Sequence, residues 1–457
     1  MNENMELTCQ TLNELLESRS FRQFTNIIDE MNPIDVAEYV ETLDDEKLIT
    51  VFRLLKKDTA AEIFAELGSA AREKIILTTT DRDLATIVDN LFVDDAVDLL
   101  EELPAIMVKR ILLSAKPETR TLVNKFLSYP DGSAGSVMTA EFIDIKKTLT
   151  VEEAVARIRH TGVNKETVYT IFVVDSARKL EGIVSLRDLL FANETDIIEN
   201  IMSVDIQKAH TTDDRESVVA LISKYDLLSL PIVDKENRLV GIVTVDDAMD
   251  VIEEETTEDI EVMAAISPTS KSYMETSTFE TWKKRIPWLL MLMISAAFTG
   301  AIITHYENAL GAYVILTAFI PMLMGSGGNA GGQASVTIIR GISLNEIAFK
   351  DIFRVIFKEF KVSVLCAVTM CAANFVKTML VDFGAVFTVA NLTIAAIVSL
   401  TLFCTVVTAK IIGASLPLIV KRVGLDPAVM ASPFITTIVD AISLVIYFSF
   451  ASALLGI

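Results

Sequence analysis

Residues 321–333 read PMLMGSGGNAGGQ and form part of an apolar stretch that covers residues 312–339. The five glycines of this segment would let other backbones approach closely, or let a membrane helix open and expose its carbonyl groups. Exposed carbonyls are tolerated inside a bilayer only beside protein or a water-filled cavity. Because Asn329 and Gln333 add side-chain oxygens, the segment predicts a passage for a hydrated hard cation, with simple helix packing as the alternative.

Four further apolar stretches accompany this one, at residues 286–304, 362–381, 383–420 and 427–457. A helix needs about 20 apolar residues to cross a hydrocarbon core about 30 Å thick. The longest stretch could be one tilted helix, or a span followed by a bent piece near Gly413 and Pro417. Lys377 and Lys410 are expected near or beyond helix ends. We therefore predict an all-α polytopic membrane domain with five transmembrane helices over residues 281–457.

Basic side chains cluster in three places beside these spans, within residues 283–285, 340–361 and 421–422. With five spans all three places lie on one side of the membrane, and the positive-inside rule makes that side cytosolic. The first thirty residues lack the apolar stretch of a signal peptide, so we expect a cytosolic N-terminus and a C-terminus outside. These features predict a multi-pass protein of a bacterial-type inner (plasma) membrane.

The two parts of the chain differ in charge. Residues 1–280 carry 55 acidic and 28 basic side chains, whereas residues 281–457 carry 7 acidic and 12 basic ones. Such acidity argues against nucleic acid or an anionic lipid surface as a partner of the first part and favours cations, although solubility alone also explains acidic surfaces. The four cysteines and three histidines show no spacing typical of a zinc site or a disulfide framework.

Short helices are predicted for residues 1–130. Apolar residues recur there at intervals of three and four, for example within residues 34–43 and 96–104. The pattern returns every few dozen residues, which is typical of stacked helical hairpins. We therefore predict an α-helical, superhelical N domain.

An internal repeat occupies residues 131–252. Each copy is predicted to hold a short strand, a helix, two apolar strands and another helix. The short strands are placed at 137–139 and 201–203, the helices at 151–160 and 214–224, and the last strands end in GIVSLRD at 182–188 and GIVTVDD at 241–247. This α/β pattern resembles a tandem pair of CBS domains, whose strand-ending Ser or Thr and following Asp contact a nucleotide at a helix N-terminus. The resemblance implies ATP or another adenine nucleotide as a ligand, although many such pairs bind nothing, and the contacts it implies are Arg187, Asp188, Leu230 and Pro231.

Residues 245–261 hold nine acidic side chains and no basic one, and we predict an acidic connecting helix over residues 253–280. At helical spacing several carboxylates share a face and repel one another until cations neutralise them. The alternative is that the acidic side chains only form a solvated helix face. However, this helix connects two parts of the protein, so neutralising its charges would move those parts, which favours a cation sensor. The regulatory metal ligands that we predict are Asp247, Asp250, Glu255, Glu258 and Asp259, together with Asp94, Asp95, Asp214, Glu216 and Asp226.

Asp440 is the only carboxylate expected deep within a span. Burying it costs at least about 2.5–3.5 kcal/mol, so it should face a pore, a cation or another charge. One carboxylate alone binds Mg²⁺ poorly, and a symmetric dimer would bring two copies to one axis. The alternative is an aspartate that couples protons or pairs helices.

The chain resembles the MgtE family of magnesium transporters and channels over essentially its whole length. The resemblance lies in the order of these parts, in a DGSAGSVMT junction at 131–139, and in the segments PMLMGSGGNAGGQAS (321–335) and GLDPAVMASPFITTIVD (424–440). The resemblance implies a homodimeric Mg²⁺ pore with Asp440 at the ion site, Asn329 and the Thr436 backbone nearby, and Asp426 at the cytosolic mouth. It also implies that the connecting helix plugs the pore when cytosolic Mg²⁺ is plentiful. Gly332 stands where the family pattern GNxGNQ has Asn, so one amide of that pattern is missing here.

Other classes of function fit the sequence less well. A carrier for another divalent cation, such as Mn²⁺ or Co²⁺, remains the alternative. An anion path should show basic groups within the spans, and a membrane-anchored sensor would have no use for a carboxylate in mid-span. No HExxH or GxSxG motif lies in or near the spans, which argues against an enzyme.

Overall fold

The computed structural model describes residues 3–101, 103–269, 273–274, 276–307, 311, 313–430 and 432–455. Residue 312 of the predicted second span and residues 431 and 456–457 of the predicted fifth lie outside the described residues. The chain divides into two compact units, residues 1–253 and 254–457, and each is described by itself.

The first unit begins with short helices that share one apolar core. Alternate helices pack on each other in sequence, as in a superhelix, and the side chains of Phe24, Tyr39 and Phe64 are buried between them. The predicted α-helical N domain is confirmed. Its helices are α1 Glu3–Glu17, α2 Phe21–Ile28, α3 Pro33–Glu41, α4 Asp45–Leu54, α5 Lys57–Ala65, α6 Ser69–Thr78, α7 Asp81–Val88, α8 Val93–Glu101, α9 Ala105–Ser114 and α10 Pro117–Phe126.

The repeat folds into two three-stranded sheets of the same topology, which confirms the predicted α/β pair. In each sheet the first strand is parallel to the second, and the second is antiparallel to the third. The first copy comprises β1 Asp144–Ile145, α11 Val151–Thr161, β2 Thr170–Val174, β3 Leu180–Ser185 and α12 Leu186–Phe191. The second comprises α13 Ile198–Ile201, β4 Ala209–His210, α14 Arg215–Tyr225, β5 Ser229–Val233, β6 Leu239–Thr244 and the start of α15 Val245–Met263.

The short strand of each copy lies later in the chain than predicted. Thr139 and Ser203, from the segments expected to form those strands, instead make single bridges to Ile242 and Ile183, in the third strand of the other copy. Glycine permits this crossing, because a Cβ on Gly241 would lie 2.7 Å from the Thr139 carbonyl oxygen. The prediction was wrong because local pattern does not show which sheet a segment will join.

The acidic run forms one continuous helix, α15. It starts directly after β6, where the Thr244 hydroxyl donates a hydrogen bond to the Asp247 carboxylate at 2.5 Å, and it ends at Met263. The helix thus begins inside the predicted repeat and ends before the predicted connector does. Beyond it, Ala265 has a φ of 57°, and the Glu261 carboxylate accepts a hydrogen bond from the Thr269 amide at 2.9 Å.

In the second unit, five helical segments among the described residues are long and apolar enough to cross a membrane, as predicted. Their helices are α16 Thr278–His305, α17 Ile320–Ser343, α18 Ile352–Lys377, α19 Val389–Val423 and α20 Ser432–Leu455. The stretch that was open to two interpretations is one helix, with Gly413 and Pro417 inside it.

The glycine segment does not open α17, which runs unbroken from Ile320 to Ser343. Three of its glycines, Gly327, Gly328 and Gly331, are contact points: a Cβ on Gly327 would lie 2.6 Å from Thr405 Cγ2, and a Cβ on Gly331 would lie 2.6 Å from Ile435 Cγ2. A Cβ on Gly413 of α19 would overlap the Gly331 carbonyl oxygen. Close packing, the simpler of the two explanations for the glycine run, is therefore the one that the structure supports.

Two charged residues lie deeper than the sequence indicated. Helix α18 begins at Ile352, ahead of the predicted span at 362, and therefore includes Glu359. Lys410 lies in the interior of α19 and is only 6% exposed, so the expectation that it lies near or beyond a helix end was wrong. Lys377 is the last residue of α18, where it pairs with Asp382 at 2.7 Å.

Candidate functional site

An acidic cluster lies where the helical N domain meets the second copy of the repeat, inside the first unit. Asp94 and Asp95 occupy the first turn of α8, and Asp247 occupies the first turn of α15. Helix N-termini favour negative side chains, which explains why each helix begins with acid. Val97 of α8 and Ala248 of α15 belong to one apolar core, so the packing that buries these residues also brings the carboxylates together.

Burial and mutual repulsion make the charged form of these carboxyl groups unfavourable, which raises their pKa values. Burial, followed by the charges of Asp247 and Asp95, raises the pKa of Asp94 well above its usual range. Burial and the charge of Asp247 also raise the pKa of Asp95 to about 6 and that of Glu166 to about 7. Asp94 Oδ1 and Glu166 Oε2 are buried without a hydrogen-bond partner in the described part of the chain. Two orphaned carboxylate oxygens fit a bound cation better than they fit an empty protein interior.

Glu166 was missed by the sequence analysis. It lies in the loop between α11 and β2, far from both acidic helices along the chain, and no local pattern marks it. Among the described residues, no group of three or more His, Cys, Asp and Glu side chains is close enough to hold a metal ion directly.

We expect the acidic cluster to make the packing of the N domain on the second copy of the repeat dependent on pH. The raised pKa values mean that the packed form holds protons that the separated form has released, so packing weakens as the pH rises from about 4 through 7. Without Mg²⁺, amide hydrogen exchange in α8 of the full-length protein, corrected for intrinsic rates, should be at least about tenfold faster at pH 8 than at pH 5. Millimolar Mg²⁺ at pH 8 should reverse the change. Exchange that is independent of both pH and Mg²⁺ would contradict this role for the cluster.

The other predicted regulatory ligands of the first unit are not gathered into one site. Asp214 caps α14, where it accepts a hydrogen bond from the Glu216 amide at 3.4 Å, and Asp226 ends the same helix. The eleven residues of α14 separate these ends by about 16 Å. Asp250 is exposed one turn after Asp247 on α15.

The predicted nucleotide contacts differ in accessibility. Arg187 and Asp188 are exposed at the start of α12, where Asp188 and Ser185 cap the helix reciprocally. Leu230 and Pro231 are buried in β5. Asp188 and Asp247 occupy equivalent places in the two copies of the repeat. Asp188 is exposed, whereas Asp247 belongs to the acidic cluster.

In the second unit, the acidic end of α15 lies against the ends of membrane helices. Val262 packs with Ile339 of α17 and Ala428, and the Ser343 hydroxyl donates a hydrogen bond to Asp259 at 3.4 Å. Burial, followed by the charge of Asp426 and then that of Glu255, raises the pKa of Asp259. Asp426 itself accepts a hydrogen bond from the Ala428 amide at 2.8 Å. Two of the predicted metal ligands, Asp259 and Asp426, are thus brought close together, with Glu255 and Glu258 on the same helix as Asp259.

Asp440 lies in α20, one turn after Thr436. Its Oδ1 atom is buried and has no hydrogen-bond partner among the described residues. A Cβ on Gly328 would lie 2.9 Å from Thr436 Cγ2, so the glycine segment of α17 packs directly on the helix turn before Asp440. A carboxylate oxygen without a protein partner inside a membrane helix is available to a cation.

Asn329 and Gln333 are exposed one turn apart on α17. They line a cavity of about 780 Å³, whose described lining does not include Asp440. The remaining lining residues are Gly332, Ala334, Val336, Thr337, Glu359, Val362 and Lys410. Within one chain, Asn329 therefore lines this cavity, whereas Asp440 is not among its described lining residues.

Protein-family models account for most of the chain. A model described as a divalent cation transporter, MgtE, matches residues 320–450, and the model of the MgtE intracellular N domain matches residues 31–132. CBS domain models match residues 134–194 and 198–254.

Similar proteins span nearly the same length. The chain is 34% identical to a magnesium transporter MgtE from Thermus thermophilus, over 97% of this chain and 98% of that protein. It is 31% identical to a magnesium transporter MgtE from Bacillus subtilis, over 96% and 95%.

Solved structures resemble the first part of the chain. The soluble part of a magnesium transporter is 28% identical, with a TM-score of 0.53, and covers 55% of this chain and 99% of its own. The cytosolic domain of the Mg²⁺ channel MgtE in complex with ATP is 34% identical, with a TM-score of 0.51, and covers 53% and 99%. Together with the length of the matches to full-length relatives, these findings show that the chain belongs to the MgtE family of magnesium transporters.

Proposed function

We propose that this chain imports Mg²⁺ into the cytosol and that cytosolic Mg²⁺ closes the route. Asp440 supports this proposal most directly, because its Oδ1 atom is buried without a hydrogen-bond partner among the described residues, one turn after the contact between Thr436 and Gly328. Such a group attracts a divalent cation and gains little by remaining alone in a membrane helix. The magnesium transporters to which the chain is similar over nearly its full length support Mg²⁺ as the cargo.

A homodimer would complete the ion site. Mg²⁺ keeps most of its water shell and is held poorly by a single carboxylate, whereas two Asp440 side chains on a two-fold axis would supply two. The basic residues at the α17–α18 connection and at the end of α19 support a cytosolic location of those ends, with the C-terminus outside.

The acidic end of α15 is suited to close the cytosolic mouth. Asp259 and Asp426 repel each other where α15 lies against the end of α17, as the raised pKa of Asp259 indicates. Carboxylates at close range repel by on the order of 1–4 kcal/mol per pair, so α15 should leave this position at low Mg²⁺. A cation bound between such groups supplies the positive charge that lets them stay together.

The acidic cluster of the first unit would act in the same direction. Asp94, Asp95, Glu166 and Asp247 would attract a regulatory Mg²⁺ that keeps its water shell, and its charge would strengthen the packing of the N domain on the repeat. Asp247 and Asp259 both belong to α15, so we expect both to respond to cytosolic Mg²⁺. Several weak sites acting together give a steep response.

Ion uptake into liposomes that contain the purified full-length protein tests the proposal. Mg²⁺ uptake should be fast at low internal Mg²⁺ and should stop at millimolar internal Mg²⁺. Parallel runs with Mn²⁺, Co²⁺ and Ca²⁺ separate a magnesium transporter from a carrier for another divalent cation. Uptake of Mn²⁺ or Co²⁺ without Mg²⁺ would favour that alternative.

We also expect the repeat to bind an adenine nucleotide, with Arg187 among its contacts. The cytosolic domain of a relative was solved with ATP, and Arg187 and Asp188 are exposed at a helix N-terminus, which favours phosphate. In titration calorimetry Arg187→Ala should weaken ATP binding about tenfold or more, because it removes a charge-assisted hydrogen bond. Arg238→Ala, at an exposed position of the second copy, is the matched control. No heat at millimolar ATP, with or without Mg²⁺, would refute nucleotide binding.

A further inference from the structure

The cavity of about 780 Å³ between α17, α18 and α19 contains two opposite charges, Glu359 and Lys410, besides the amides of Asn329 and Gln333. Lys410 is only 6% exposed, yet neither its side chain nor that of Glu359 forms a hydrogen bond or an ion pair with any residue that the structure describes. Because Lys410 lines the cavity, its ammonium is open to that space, and a charge at this place in a membrane helix is costly unless pairing or water reduces the cost. Two charged side chains that share a cavity without pairing create an electrostatic field there, and this field acts on ions that enter the cavity.

The two charges lie at different depths. Glu359 lies about 10 Å along α18 from its start at Ile352, near several basic residues. Lys410 lies about 16 Å along α19 from Lys421, and Lys421 is near the C-terminal end of that helix. Both distances start from helix ends that the five-span topology puts on the same side of the membrane, so the carboxylate lies nearer that side than the ammonium does.

We propose that Glu359 and Lys410 are a charge pair that sets the occupancy of the amide-lined cavity by divalent cations, with Glu359 raising it and Lys410 limiting it. The inference rests on the proposed function, because it treats the surface of Asn329 and Gln333 as part of the cation route. In a water-filled space, a unit charge about 10 Å away changes the local concentration of a divalent cation about fourfold. The two residues therefore act on the rate of uptake in opposite directions.

An anionic lipid headgroup on Lys410 is the competing explanation. The carboxylate of Glu359 and the two amide side chains in the same cavity make it a poor site for an anion, because Glu359 would repel the headgroup. If a headgroup did neutralise Lys410, neutralising the lysine would change nothing in vesicles of anionic lipid.

The charges can be measured without any transport. In full-length protein whose native cysteines have been replaced, Thr337→Cys places a thiol in the cavity lining, at an exposed residue whose hydroxyl only bonds to its own helix. The ratio of its reaction rates with a cationic and an anionic thiosulfonate should rise about fourfold with Lys410→Gln and fall about fourfold with Glu359→Gln. Lys358→Gln, at an exposed neighbour outside the cavity lining, should leave the ratio unchanged.

Uptake of Mg²⁺ by the same variants gives the second measurement. In phosphatidylcholine vesicles, and again in vesicles with phosphatidylglycerol, Lys410→Gln should raise uptake about two- to fourfold and Glu359→Gln should lower it by a similar factor. The double variant should lie near the unmodified protein, and Lys410→Arg, which keeps the charge, should match it. Should Lys410→Gln not fold, Lys410→Met of similar length replaces it.

Two results would overturn the inference. One is an unchanged thiol ratio in both charge variants, and the other is a loss of uptake in both together, as a purely structural role would produce. A Lys410 effect in phosphatidylcholine that vanishes with phosphatidylglycerol would assign the lysine to the lipid headgroup. Uptake that persists in Asp440→Asn would instead count against the proposed function, while the thiol ratio would still report on the cavity.

Discussion

Replacing Asp440 with asparagine should reduce Mg²⁺ uptake into liposomes by at least about a hundredfold. Asparagine keeps the shape of the side chain but removes the charge that attracts the cation, and a charged contact of this kind contributes on the order of 3 kcal/mol, which corresponds to that factor. Asp440 Oδ1 makes no hydrogen bond with the described residues, so the substitution removes no observed contact. Burying a neutral amide also costs less than burying a carboxylate, and the melting temperature should therefore stay the same or rise.

Asp382→Asn is the matched control for Asp440→Asn. Asp382 lies in the same unit, and its pair with Lys377 is partly exposed, so losing it should cost little stability and leave uptake unchanged. Near-normal Mg²⁺ uptake through Asp440→Asn, measured with a Mg²⁺-sensitive dye inside the vesicles, would show that Asp440 does not hold the transported ion.

Deleting residues 1–250 should leave a protein that takes up Mg²⁺ even at millimolar internal Mg²⁺. The deletion removes Asp94, Asp95, Glu166 and Asp247, which the structure brings together, and with them the cation-dependent packing at the start of α15. Changing Asp247, Asp250, Glu255, Glu258 and Asp259 to alanine should have the same effect in the full-length protein. Both variants remove the groups that a regulatory cation would bridge.

Single substitutions make this test sharper. Asp247→Ala should raise the internal Mg²⁺ needed for half-inhibition several-fold, whereas Asp188→Ala, at the equivalent exposed place in the first copy, should leave it unchanged. Inhibition that stays complete in the five-residue variant would place the sensor elsewhere.

Much of the architecture followed from local pattern. Five long apolar stretches, the alternation of strands and helices in the repeat, and the three- and four-residue spacing near the N-terminus each report directly on how a segment buries its apolar side chains. The element bounds were less accurate, because α18 begins with charged residues that no hydropathy pattern includes and α15 starts within the repeat.

The glycine segment shows where local pattern was insufficient. Its sequence was compatible with an opened helix or with close packing. The contact of its backbone with that of α19, at Gly331 and Gly413, shows that it is packed closely. The same limit applies to the short strands of the repeat, which were misplaced because residues 137–139 and 201–203 bridge to the opposite copy.

The sequence by itself determined the fold class, the family and the presence of a carboxylate within an apolar span, because these depend on composition, periodicity and motifs within single segments. Only the tertiary structure decided that Glu166 joins Asp94 and Asp247, that Asp259 meets Asp426, and that Lys410 is buried in a cavity with Glu359. The physical reason is that electrostatic interactions depend on distance and burial, and residues far apart along the chain acquire both only when their helices pack.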